Sequence, residues 1–159
     1  MAWLAIVLTS LLAADSGAGI HWTAPSNWKS EGERPMRLAT YQVPPDGECA
    51  VYYFGQGQGG SVEANIDRWK GQFEGSKDAT KVEKRTIHGL KVTTLDVSGA
   101  YTGMGGPRAP QGPPKQGYRL LGAIVEGPQG SIFFKFAGPV KTVSQNQSAF
   151  EKMLSTLSL

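Results

Sequence analysis

Cysteine is almost missing from this sequence: Cys49 stands alone among 159 residues. No internal disulfide can form, and no thiolate cluster exists to hold zinc or an iron–sulfur centre. Histidine is nearly as scarce. His21 and His88 are far apart, with neither H-x-H nor H-E-x-x-H spacing, so neither a metal nor a cofactor is expected. The first fourteen residues carry no charged side chain, yet Asp15 interrupts their apolar run well before the about 20 residues that cross a bilayer. The mature chain is therefore expected to have no integral membrane span. A net charge of +3 is mild, no recognisable nucleic-acid module is present, and nucleic acid is not an expected partner.

At 40% hydrophobic and 18% charged residues, the composition is that of a globular protein. Trp3 to Ala14 ends in Leu-Leu-Ala-Ala, and small residues follow to Gly19. This reads as the apolar and cleavage regions of a signal peptide over residues 1–18, although no Lys or Arg precedes the run. Cleavage after Ala14 and after Ala18 both satisfy the small-residue rule. The competing reading is a buried N-terminal strand or helix. Asp15 stands where a lipoprotein would need Cys, which argues against a lipid anchor. The expectation is an exported, periplasmic or extracellular chain whose residues 19–159 form one domain. Such a protein must bury its lone cysteine or risk intermolecular pairing.

Strands are expected at Ile20–Trp22, Met36–Val43, Glu48–Phe54, Thr80–Ile87, Leu90–Val97, Tyr118–Val125 and Ile132–Phe136. Glu48–Phe54 is apolar on both parities, as a covered central strand is. His88-Gly89 and EGPQG mark hairpin turns. The apolar parity changes between Val92 and Leu95, which implies a bulge or burial on both faces. Val62, Ile66, Trp69 and Phe73 fall on one helical stripe behind the N-cap candidate Ser61. A second helix is expected from about Ser144, with Phe150, Leu154 and Leu157 on one face. Residues 102–117 hold five Gly and four Pro, and read as a long irregular loop. The fold class is α+β: a mainly antiparallel sheet covered by helices, an α/β/α sandwich.

Three segments carry a resemblance. They are W-x-x-P-x-x-W (Trp22, Pro25, Trp28), N-x-x-R-W (Asn65, Arg68, Trp69), and FFKFAGP followed by F-x-x-M-L-x-S (Phe150, Met153, Leu154, Ser155). Together they resemble the Mog1/PsbP-like fold, including uncharacterised exported bacterial proteins of that kind, over nearly all of the chain after residue 18. The resemblance implies a leaning towards non-catalytic binding. The Mog1 branch binds a small GTPase and the PsbP branch a photosynthetic complex, but no motif here carries either partner over. The 102–117 insertion departs from both branches.

The leading ligand-binding candidates sit in and beside that loop: Tyr101, Met104, Arg108, Lys115 and Tyr118. A Gly/Pro-rich loop can act as a lid or docking arm; otherwise it is an insertion without a role, and the two tyrosines anchor its ends or stack on a ligand. Gly59, Gly60 and Ser61 open a helix, where free N–H groups and the dipole attract anions. They lack the Lys-Ser/Thr of a P-loop, so a plain connector is the competing reading. Cys49 with His21 or His88 would be the only nucleophile pairing, and nothing in the sequence places them together. No catalytic residue is assigned. Asp96 reads as an isolated carboxylate on a strand end, and Trp28 as the tryptophan to check for exposure. Between Val97 and Lys141 there are five basic residues and one acid, which suggests a basic face. The expected function is an exported non-enzymatic binding or assembly module for a protein partner or small anionic ligand. The alternatives are a small envelope enzyme with a pocket under the loop, and a peripheral membrane-surface protein acting through the basic face.

Overall fold

The computed structural model describes residues 14–32, 34–74, 80–103 and 113–159. The strands in chain order are β1 (Ala14–Gly17), β2 (Ile20–Thr23), β3 (Lys29–Ser30), β4 (Arg37–Val43), β5 (Gly47–Tyr52), β6 (Phe73–Glu74), β7 (Lys81–Ile87), β8 (Leu90–Tyr101), β9 (Lys115–Gly127) and β10 (Gly130–Pro139). The helices are α1 (Val62–Gly71), α2 (Val140–Gln145) and α3 (Gln147–Ser155). The most apolar strand organises the fold: β10 buries Ile132 to Phe136 without a break, so both its faces are covered. It lies inside an antiparallel sheet of order β3-β4-β5-β10-β9-β8-β6, with β7 also paired to β8. The α+β class and the helix-covered antiparallel sheet read from the sequence are what the structure shows.

Alternate residues of β10 feed two cores. Phe134 and Phe136 point with Cys49 and Tyr41 towards α2, α3 and the β1–β2 hairpin, where Trp22, Trp28 and Phe150 close the layer. Phe133 points to the opposite side and meets Ile66 and Trp69 of α1, with Leu95, Leu120 and Ile124. The Trp69 ring approaches β9 closely because position 122 has no side chain. A Cβ there would stand 2.5 Å from its ring.

Two expectations need correction, and two open points are settled. The helix expected from Ser144 is two helices. Asn146 leaves helical geometry (φ −107°, ψ 6°), and its amide turns to the chain. Its Nδ2 donates to the Thr142 carbonyl at 2.9 Å and its Oδ1 accepts from Trp28 Nε1 at 3.2 Å. That same bond buries Trp28, which packs on Tyr41 and Phe136. The loop expected over 102–117 is corrected at its end, because Lys115–Gly117 belong to β9, while residues 104–112 lie outside the described residues. The β8–β9 ladder continues to the pair Tyr101–Lys115 after a bulge between Gly99 and Tyr101. The parity change at 92–95 is burial on both faces.

Within the segment expected to be removed, Ala14–Gly17 pair with β2. Asp15 accepts a hydrogen bond from the Tyr41 hydroxyl, which itself accepts one from Trp22 Nε1 at 2.9 Å. Burial, reinforced by Asp15, keeps that phenol protonated far above its ordinary range.

Candidate functional site

β10 carries one residue that its surroundings do not suit. Lys135 takes the inward position between Phe133 and Ala137 and is 4% exposed. Its ammonium donates to Gln72 Oε1, at the C-cap of α1, at 2.6 Å. It also lies 5.6 Å from the centre of the Tyr101 ring. Burial, with Arg68 and Arg37 nearby, lowers its pKa from 10.5 to about 7, and Glu48 opposes the shift. The loss of water dominates, because a buried ammonium gives up hydration that neighbouring cations cannot replace.

Around Lys135 the described loop ends form a column. Tyr101 stacks on Tyr118 with ring centres 5.7 Å apart and planes within 5°. Lys115 Nζ lies 5.4 Å from the Tyr118 ring. The order is therefore Lys115, Tyr118, Tyr101, Lys135, a cation at each end of a tyrosine pair. Phe73 supports Tyr101 from β6 at 5.0 Å. On the β4–β5 side, the Arg37 guanidinium lies 5.0 Å from the Tyr52 ring and bonds Glu48 at 3.1 Å. Burial raises the pKa of both Tyr52 and Tyr101. Arg68 extends from the last turn of α1, where it donates to Asn65 Oδ1. Arg37, Arg68, Lys115 and Lys135 thus gather on the α1 side of the sheet against Glu48.

Of the loop candidates, Tyr101, Lys115 and Tyr118 come together, and the two tyrosines stack on one another. Met104 and Arg108 lie outside the described residues. Gly59, Gly60 and Ser61 are at the other end of α1, roughly 15 Å away at 1.5 Å per helical residue. Lys135, Arg37 and Arg68 were not among the sequence candidates. The available signal was the Lys inside Phe-Phe-Lys-Phe, a charge at a strand position whose neighbours are all apolar.

The remaining candidates fall elsewhere. Cys49 is fully buried beneath α3, and desolvation raises its thiol pKa well above the ordinary range. His88 Nδ1 is 2.7 Å from the Leu157 carbonyl, and the His21 backbone bridges Ser158. Asp96 is not isolated, since its carboxylate takes Arg119 in a two-point pair at 2.9 and 2.7 Å. Arg119 reaches Ser144 and Gln147 on the α2–α3 side, while Lys115 and Lys135 lie on the α1 side. Arg119 therefore lies on the opposite face of the sheet from Lys115 and Lys135. Among the described residues no helix is long and apolar enough to cross a membrane, and no three His, Cys, Asp or Glu residues gather as a metal site.

No protein-family model matches the sequence, and no curated protein matches it. A solved structure does match: that of cyanobacterial PsbP (CyanoP) from Synechocystis sp. PCC 6803, with a TM-score of 0.57 at 14% identity. The match covers 92% of this chain and 90% of that one. A likeness that spans most of both chains makes this a PsbP-like fold.

Proposed function

We propose that this chain is an exported, non-enzymatic binding or assembly module that grips an acidic segment of a protein partner beside the 102–117 loop. The observation that carries the reading is Lys135, a buried amine in a mostly cationic setting. Placing several cations around a buried ammonium costs stability, and an incoming carboxylate offsets that cost. Lys115 and Arg68 are exposed at the rim, and Arg37 is half-buried, so an acidic side chain meets cations before it meets Lys135. The PsbP-like fold supports the same reading, because the branches it resembles act as binding or assembly factors. Export rests on the Trp3–Ala14 run, and the Asp15–Tyr41 bond favours cleavage after Ala14 over cleavage after Ala18.

Titrating the chain with hexaglutamate and with a neutral peptide of equal length, by calorimetry at low salt, tests this. The acidic peptide should bind several-fold more tightly at pH 6 than at pH 8.5, because Lys135 is charged only at the lower pH. Lys135→Met should abolish the pH effect. Equal binding of both peptides, or an unchanged profile in the variant, refutes the proposal. N-terminal sequencing of the exported product tests the cleavage site.

The enzyme alternative gains one observation from the same residue. An amine with a pKa near 7 is nucleophilic in neutral solution. Borohydride reduction in the presence of a small aldehyde would label Lys135 selectively if it acts that way.

A further inference from the structure

The cross-strand partners of Lys135 are Ala50 on β5 and Gly122 on β9, and the next residue on its own face of β10 is Ala137. Two methyl groups and a glycine put little side-chain bulk beside its stem. At the tip the amine donates to Gln72 Oε1 at 2.6 Å. Gln72 is held in place through its own backbone, whose carbonyl accepts the Thr102 N–H at 2.8 Å and the Thr102 hydroxyl at 3.0 Å. A carboxamide carries two N–H donors beside its oxygen. Rotated about its last torsion, the same side chain meets an anion where it now meets a cation.

Charged and titratable groups surround the amine from each neighbouring element. They are Arg68 on α1, Arg37 on β4, Glu48 and Tyr52 on β5, Tyr101 on β8, and Tyr118 and Lys115 on β9 beyond the stacked ring. Among the described residues of this cluster, Glu48 is the carboxylate, and Arg37 bonds it at 3.1 Å. Such a setting penalises an ammonium and favours an anion at the same atom. Burial adds to the penalty and brings the pKa to about 7. The amine is therefore neutral in about half of the molecules at pH 7, roughly a thousand-fold more than for a lysine at 10.5. A neutral amine is a nucleophile. At 4% exposure it favours a small, uncharged electrophile.

We propose that Lys135 is a carbamylation site: its neutral amine takes up carbon dioxide reversibly, and Arg68, Arg37 and the Gln72 amide hold the resulting carbamate. The Nζ lone pair forms a bond to the carbon of carbon dioxide, one C=O π pair moves onto oxygen, and one N–H proton passes to solvent. Nothing is oxidised or reduced. A carbamate is planar with two oxygens, the shape that a guanidinium fork pairs with. Each guanidinium has five N–H donors, more than the bonds to Asn65 and Glu48 use. Uptake turns the centre of the cluster from cation to anion, so a surface suited to an acidic segment becomes one that repels it. That consequence rests on the acidic-segment reading above, whereas the carbamate rests on the Lys135 cluster alone.

The test is ¹³C NMR of the purified chain in ¹³C-bicarbonate buffer under a fixed pressure of ¹³C-labelled carbon dioxide. A carbamate resonance, distinct from those of carbon dioxide and bicarbonate, should grow between about pH 6 and 8 as the amine loses its proton. It should be absent from Lys135→Met. The α-amino group, with an ordinary pKa of about 8, gives a second carbamate resonance that persists in the variant and serves as a reference. Arg68→Met, at an exposed position of α1, should lower the Lys135 resonance several-fold against that reference, which keeps the site testable if Lys135→Met fails to fold. The proposal is overturned if the parent shows the α-amino resonance alone, if the other resonance survives in Lys135→Met, or if Arg68→Met leaves it unchanged. Titration with hexaglutamate reads the acidic-segment proposal separately. A peptide that fails to bind leaves the carbamate resonance in place, and a missing resonance leaves peptide affinity indifferent to carbon dioxide.

Discussion

Lys135 gives the sharpest energetic prediction. Lowering its pKa from the ordinary 10.5 to about 7 corresponds to a folding penalty on the order of 5 kcal/mol below pH 7. The sign follows from proton counts. Between pH 7 and about 10 the unfolded chain holds the lysine proton and the folded chain does not, so stability rises with pH across that window. The slope approaches about 1.4 kcal/mol per pH unit. Lys135→Met removes the titration while keeping an unbranched apolar side chain of similar length. It also removes the bond to Gln72, which costs about 1–2 kcal/mol. The variant should therefore be the more stable protein by about 3 kcal/mol at pH 6, and lose most of that advantage by about pH 9. Urea unfolding of parent and variant at pH 6, 7.5 and 9 measures the difference, in which all other titrations cancel. Burial shifts Tyr41, Tyr52 and Tyr101 upward, out of this window. A difference that stays constant across the three pH values would refute the buried-lysine reasoning.

Three further outcomes follow from the packing. Gly122→Ala should destabilise by about 1–3 kcal/mol, since its Cβ would meet the Trp69 ring at 2.5 Å; urea unfolding and Trp fluorescence read it. A chain beginning at Gly19 should be less stable than one beginning at Asp15 by about 1–3 kcal/mol, having lost β1 and the acceptor for Tyr41; equal melting curves would contradict this. Cys49 should be inert to Ellman's reagent at pH 8 in the native protein and react fully in urea, because burial withholds the thiolate. Rapid native labelling would show the strand to be open.

Much of the fold was written in local pattern. The Val62-Ile66-Trp69 part of the expected stripe (Phe73 instead lies in β6), the Ser61 cap, the His88-Gly89 turn and the doubly apolar β5 each follow from side-chain period, cap chemistry or glycine freedom within a few residues, and each appears in the structure. Tyr101, Lys115 and Tyr118 were also legible, because a long Gly/Pro stretch draws attention to its ends. What the sequence did not settle was who meets whom. Asn146 breaks the last helix because its amide finds Trp28, 118 positions away. Asp96 is paired because β9 brings Arg119 beside it. The local pattern registers Lys135 as one more charge; only the sheet order, which sets β10 between β5 and β9 beneath α1, strips it of water and lowers its pKa. Period, capping and turn chemistry act over a few residues and are therefore readable in sequence. Desolvation and charge proximity depend on residues far apart in the chain, and only the assembled sheet decides them.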